Sequence, residues 1–173
     1  MNDAFPANLY IEAPYDAAKK IRMGNFRLSE WACKGEGCCD HSVRIRYLLW
    51  WGAQLLRNIY RSPVIIVSGN RCPIHNTAVG GSPHSDHLIE FEEKQLACGE
   101  DIRVVGVPST EVAKEMALLP TFKRIGVYEP GGVNGPDGFC HGGVIDRGPG
   151  TWRRWRANPD GEVFEYEIEG AIH

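Results

Sequence analysis

Apolar positions Ile45, Leu48, Leu49, Leu56 and Ile59 recur at helical spacing between Val43 and Tyr60, which predicts the main core helix. Ser42 or Asp40 stands where a cap would start it. Ser62-Pro63 ends it, because the residue before a proline is pushed out of the helical region. Val64-Ile65-Ile66-Val67 is short, β-branched and bounded by breakers, and predicts a buried strand. Two more strands are predicted over 101–105 and 124–128. A helix is predicted from Ser109 to Leu119, with Ser109 as cap, Glu111 in the first turn and Pro120 past the end. Phe139 to Asp146 reads as a strand bulged at Gly142-Gly143. Trp152 to Trp155 and Val163 to Ile168 read as closing strands around an Asn158-Pro159-Asp160-Gly161 turn. Gly80 to Leu88 and Glu129 to Gly138 read as loops, and the charged run from Glu90 to Gln95 as a solvated insertion. Residues 1–24, punctuated by Pro6 and Pro14, read as an N-terminal arm or edge segment, and residues 25–173 as a single domain. Strands intersperse with helices without a regular βαβ rhythm, so the expected class is α+β.

Composition narrows this picture. The chain has 173 residues, is 43 % hydrophobic and carries a net charge of −3. It can bury one core, and a globally basic nucleic-acid binder is not expected. No run of 18 apolar residues exists, so no membrane-spanning helix is expected. The opening Met1-Asn2-Asp3-Ala4-Phe5-Pro6 lacks a basic region followed by an apolar stretch, so no secretory signal is expected. Cytoplasmic synthesis, with release or delivery by a virion, is the expectation, and the chain is expected to be a monomer. Six cysteines occur in a long chain without a signal, which does not read as a disulfide framework.

Three of the histidines, His75, His84 and His87, lie in a Gly- and Pro-rich loop that follows the strand predicted at Val64, near Arg71 and Asp101. A catalytic zinc takes three protein ligands and keeps a position open for water, whose pKa it lowers toward neutrality. His87, Asp101 and His141 could form such a set. Their spacings match no short ligand signature, so spacing alone leaves open whether they are ligands or ordinary loop and strand residues.

Several motifs in one order carry more. Ser68-Gly69-Asn70-Arg71-Cys72-Pro73, His75-Asn76 and Val79-Gly80-Gly81 are followed by Ser85-Asp86-His87 and Asp101-Ile102. This text resembles that of the zinc D-alanyl-D-alanine carboxypeptidases and their relatives, including phage L-alanyl-D-glutamate endopeptidases. Upstream, Asn25-Phe26, Leu28-Ser29-Glu30-Trp31 and Cys33 are similar to the family's entry segment. Downstream, Gly126-Val127-Tyr128, Gly138-Phe139-Cys140-His141 and Arg154-Trp155 follow in the family's order. The resemblance implies a small antiparallel sheet carrying a zinc site, with helices packed on one side, the D-Ala-D-Ala carboxypeptidase or hedgehog-like fold. It implies Zn2+ held by His87, Asp101 and His141. Arg71 would pair with a substrate carboxylate or a developing oxyanion, its alternative being a salt bridge that pins the loop. Ser85 would hydrogen-bond the substrate. The implied activity is a hydrolase, an endolysin-like metallopeptidase cutting bacterial peptidoglycan, with the stem peptide as partner and neither nucleic acid nor membrane.

Three departures stand out. Asp101 follows His87 by fourteen residues rather than the usual seven, so about seven residues, roughly Ile89 to Gln95, are inserted. Small residues Ala97 and Gly99 precede Asp101, as in the family. Relatives place a general base two or three residues before the last histidine, where this chain has Phe139 and Gly138. Asp146 or Asp137 is then the expected catalytic base. Without a base, a catalytically inactive zinc-containing module is the alternative, for example a phage virion component or a peptidoglycan-docking domain. Asn70 replaces the usual aromatic, which reads as a local packing change.

Cys33, Cys38 and Cys39 cluster near His41, which reads as a structural zinc knot, as buried thiols or as disulfides. A zinc protein built on this cluster alone, with no site at His87, is a third reading. Cys140 is expected to be buried behind the site, because strand side chains alternate faces. Trp152-Arg153-Arg154-Trp155-Arg156 reads as an alternating strand placing tryptophan on the core, or as the wall of a sugar- or peptide-binding groove, rather than as a single-stranded nucleic-acid patch.

Overall fold

The computed structural model describes residues 9–89, 97–145 and 154–165. The chain opens with β1 (Tyr10–Ala13), α1 (Tyr15–Ala18), the two short strands β2 (Arg22–Met23) and β3 (Phe26–Arg27), and a 3-10 turn at Leu28–Trp31. A Cys-rich loop leads into β4 (Val43–Arg46), α2 (Tyr47–Tyr60) and β5 (Val64–Ser68). Then come α3 (Pro73–Ala78), β6 (Gly99–Val104), α4 (Ser109–Leu118), β7 (Arg124–Tyr128), β8 (Phe139–Gly143), β9 (Arg154–Ala157) and β10 (Val163–Glu165). The α+β class expected from the sequence is what the chain forms.

The main sheet has six strands in the order β10-β9-β7-β8-β6-β5. Every pairing is antiparallel except β7 with β9, which run parallel. Alternation gives the sheet two faces. Ile102, Val104, Cys140, Ile125 and Val127 point to one face and join Leu49, Ala53, Leu56, Val112 and Met116 of α2 and α4 in the core. Gly142 sits on this face because a β-carbon there would come within 2.6 Å of the Phe122 ring. The helices thus cover one side, as expected, and leave the other side free to build a site.

The predicted core helix starts later than the periodicity suggests. Val43–Arg46 is a strand paired with β1, and the helix begins only at Tyr47. Val43 and Ile45 are fully buried while Arg44 and Arg46 are half-buried, so a two-residue period was hidden inside apparent helical spacing. Asp40 does not cap the helix. Its carboxylate accepts from the Ser42 backbone N–H at 3.1 Å and closes the turn before β4. Residues 9–23 are built into the same body, with Ala13 and Ala18 in the core.

The strands predicted from 64, 101, 124, 139, 152 and 163 all form among the described residues, with shifted ends, the fifth at Arg154–Ala157. The predicted turn between β9 and β10 closes through the Asn158 side chain, which accepts from the N–H groups of Asp160 and Glu162. Helix α3 lies inside what the sequence suggested was open loop, started by Pro73 at its first turn. Among the described residues no helix is long and apolar enough to cross a membrane.

Candidate metal centre

The open face of the sheet gathers the site. Pairing of β6 with β8 sets Asp101 opposite His141, and pairing of β7 with β8 sets Gly126 on the other side of His141. His87 comes from the turn ahead of Leu88, which bridges to Arg71, three residues past the end of β5. Strand register and this bridge together bring residues fourteen and forty positions apart in sequence into one site.

Three donor atoms converge. His87 Nε2 lies 3.2 Å from Asp101 Oδ1 and 3.1 Å from His141 Nδ1, and His141 Nδ1 lies 2.9 Å from Asp101 Oδ1. All three residues are buried. Each ring is fixed through its other nitrogen. His87 Nδ1 meets the Gly69 carbonyl at 2.7 Å, and His141 Nε2 meets Asp86 Oδ2 at 3.2 Å. Such partners hold a ligating imidazole in one tautomer and orientation. Two imidazoles, neutral once they ligate, and one carboxylate, with the remaining ring nitrogens already bonded, are the donor set that suits zinc. The residues present fit the ion.

The carboxylates are held in turn. Arg71 Nη2 donates to Asp101 Oδ2 at 2.8 Å, and Arg71 Nε donates to Ser68 Oγ at 2.9 Å. Arg71 thus makes a salt bridge that leaves Asp101 Oδ1 turned toward the histidines, and it also lines the cleft. Arg124 makes the matching bond to Asp86 Oδ2. Burial alone would raise the Asp101 carboxyl, but the charges and hydrogen bonds of His87 and His141 outweigh it and hold it below the usual carboxylate range. Burial likewise opposes a charge on His141, yet its bonds to Asp101 and Asp86 raise it to about 9. For His87 burial prevails and lowers the pKa.

Glycine makes room for this packing. A β-carbon at Gly99 would fall 2.5 Å from Asp86 Cβ and 2.8 Å from the His141 ring. The small residue before Asp101 is thus a requirement of the site. At Gly126 a β-carbon would strike the Trp155 ring at 2.4 Å. The Trp155 ring lies 5.2 Å from that of His141 and its Nε1 donates to the Tyr128 hydroxyl at 3.2 Å. Trp155 is therefore on the site face, as a wall of the groove rather than a core residue. Trp152 and Arg153 lie outside the described residues.

These side chains border a cleft of about 520 Å³, walled by Tyr128, Phe139 and Trp155 on one side and by Gly80 to Ser85 on the other. Ser85 lies on its rim and its Oγ accepts from the His87 N–H at 3.3 Å. Phe139, at a position where relatives carry a base, stacks on Tyr128 with ring centroids 4.3 Å apart. Asp137 does not border the cleft. It is exposed and paired with Arg103. Asp146 lies outside the described residues, as does most of the inserted segment. Cys140 is buried on the helix face, where its Sγ donates to the Ser109 carbonyl at 2.9 Å, as alternation required.

Asp86 is the functional residue that sequence reasoning passed over. It occupied the variable place in Ser85-Asp86-His87, and only the chain's return at Gly99 and Gly143 shows it against His141.

The family model for Peptidase M15 matches residues 24–132, which spans the entry segment, His87 and Asp101 and stops before His141. No curated protein and no solved structure matches the chain. The match covers more than half of the sequence, and with the three converging donors it settles the family: the chain belongs to the M15 peptidases, which are zinc metallopeptidases.

Proposed function

We propose that the chain hydrolyses peptide bonds of bacterial peptidoglycan, as a D,D-carboxypeptidase or an endopeptidase acting on the stem peptide. The observation that carries this reading is the convergence of His87 Nε2, Asp101 Oδ1 and His141 Nδ1 at the floor of an open cleft. The resemblance of the segments around Arg71, His87 and Asp101 to D-alanyl-D-alanine carboxypeptidases and L-alanyl-D-glutamate endopeptidases supports the substrate class.

His87, Asp101 and His141 would hold zinc, which would supply a Lewis acid and lower the pKa of water. The chain's own residues do the rest. Arg71 and Asp86 fix the carboxylate and the imidazole that face the ion. Ser85, on the rim, offers a hydroxyl to the substrate backbone. Tyr128, Phe139 and Trp155 form an aromatic wall that keeps water from one side of a bound peptide. Asp101 and Asp86 are the carboxylates bordering the cleft among the described residues, and both are committed to partners. With Asp137 turned away to Arg103, we assign the proton acceptor to Asp146, three residues beyond the end of β8.

That commitment of both described cleft carboxylates also motivates a second reading, a zinc-containing module that docks on peptidoglycan or serves in a virion without cutting. Digestion of purified peptidoglycan, read by mass spectrometry, separates the two. The enzyme releases free D-alanine or stem fragments in a manner abolished by EDTA and by His141→Ala. Asp146→Asn then lowers the rate by about 10²–10⁴, the range of general-base catalysis. Release no greater than in the EDTA control assigns the chain to the module.

A further inference from the structure

The Cys-rich loop supports a second metal site. Cys33 follows the 3-10 turn at Leu28–Trp31, Cys38 and Cys39 lie in the next loop, and Cys72 stands at the corner between β5 and α3. Their four sulfurs lie within 4.8 Å of one another. Cys33 and Cys38 are 3.6 Å apart and Cys38 and Cys39 are 3.8 Å apart. A zinc–sulfur bond of about 2.3 Å sets an edge of roughly 3.8 Å in a regular tetrahedron of sulfurs. A disulfide needs about 2.05 Å, and all four thiols are free.

Two of the sulfurs accept from backbone N–H groups. The His41 backbone N–H donates to Cys39 Sγ and the His75 backbone N–H donates to Cys72 Sγ, each at 3.4 Å. Cys33 and Cys72 are buried. A β-carbon at Gly35 would fall 2.6 Å from Cys38 Sγ, so the loop is wrapped closely on the cluster. His41 is not a member. Its Nδ1 faces the Cys33 carbonyl at 2.7 Å, and Cys72 takes the fourth place that the sequence had offered to it.

We propose that Cys33, Cys38, Cys39 and Cys72 bind a structural zinc ion, separate from the one at His87, Asp101 and His141. Four thiolates close the coordination sphere and leave no position for water, which marks a structural role. Soft sulfur donors select zinc over the hard divalent cations. Its effect on the cleft runs through Cys72, whose neighbour Arg71 holds Asp101. The Asn70 backbone N–H bonds the Trp31 carbonyl at 2.7 Å and the Asn70 side chain donates to the Ser42 carbonyl at 3.2 Å, so both ends of the Cys loop already rest on this corner. The ion ties that loop to the strand end that positions Arg71.

The test is metal analysis and spectroscopy on the full chain, independent of any activity. Purified wild type should hold about two zinc ions per chain, and His141→Ala about one. Loading His141→Ala with cobalt should give intense thiolate-to-metal charge-transfer bands in the near ultraviolet, because only the cysteine site remains. The double variant Cys38→Ser, Cys39→Ser should lose those bands. Should that variant fail to fold, mercurial titration of the wild-type thiols in the presence of a chromophoric zinc indicator should release about one zinc per chain. Absence of charge-transfer bands in cobalt-loaded His141→Ala overturns the proposal, and so does a Cys33–Cys38 disulfide in protein purified without oxidant.

Discussion

At the scale of single residues, the metal centre depends on groups that never reach the ion. Asp86 illustrates this. It is buried, it accepts from His141 Nε2 and it carries the Arg124 guanidinium. Removing its charge leaves the imidazole free to turn and its tautomer unfixed, and removes the ion pair with the half-buried Arg124 guanidinium. Partners of this kind contribute about 10–100-fold in metal affinity. Asp86→Asn should therefore weaken zinc binding by about that factor, measured by competition with a chromophoric chelator, with the far-ultraviolet circular dichroism unchanged. An unchanged affinity shows that Gly99 and Trp155, which pack on the His141 ring, suffice to hold it. The sequence could not single out Asp86, because a carboxylate beside a histidine is common and its partner is brought in by β8 from far along the chain. By contrast His87, Asp101 and His141 were legible through motif order, and the structure brings all three together. Asp137 was the misleading residue. Its charge fell near the expected place, but Gly138, at φ +61°, turns the backbone there and Arg103 takes the carboxylate.

At the scale of elements, the fold was legible wherever one period dominated. Strand β5 is a short apolar run between breakers, β6 and β7 alternate β-branched residues with polar or small ones, and α4 is framed by Pro108 and Pro120. The failure at Val43–Arg46 has a physical source. Two β-branched residues alternating with arginine also satisfy helical spacing when a real helix follows at once, and the pairing with β1 decided between them. The insertion between His87 and Asp101 is the other element-scale question. Both of its ends are anchored. The Ile89 N–H bonds the Arg71 carbonyl at 3.1 Å, and the Ala97 N–H bonds the Arg44 carbonyl at 3.2 Å. Ile89 and Ala97 are themselves buried in the core. The ligands are thus set by the anchors, and closure entropy changes only by about 0.6 kcal/mol per doubling of loop length. Replacing residues 90–95 with a glycine–serine segment of equal length should leave zinc content and zinc affinity within about twofold of wild type, by the same chelator competition. A loss of metal would mean that the replaced residues reach the site.

At the scale of the whole molecule, the metal centre is a clasp between separate parts of the chain. Asp101 belongs to β6, His141 to β8 and His87 to the turn that bridges back to Arg71. These parts share a sheet through backbone bonds, but the strand that delivers His141 lies outside the segment that the family model matches. An ion that binds the folded chain and not the unfolded one stabilises by mass action, about 2.7 kcal/mol when free zinc is 100-fold above its dissociation constant. In a chain of 173 residues each kcal/mol moves the melting temperature by about 2–4 °C, so one site contributes a rise of about 5–11 °C. Calorimetric scans in zinc and in EDTA give the total metal-dependent shift for wild type. The same pair of scans on His141→Ala gives the part that does not come from this centre. The wild-type shift should exceed the variant's by about 5–11 °C under those conditions. Equal shifts in the two proteins would place the stabilising metal wholly at the cysteines, and His87, Asp101 and His141 would then be a hydrogen-bonded cluster without an ion.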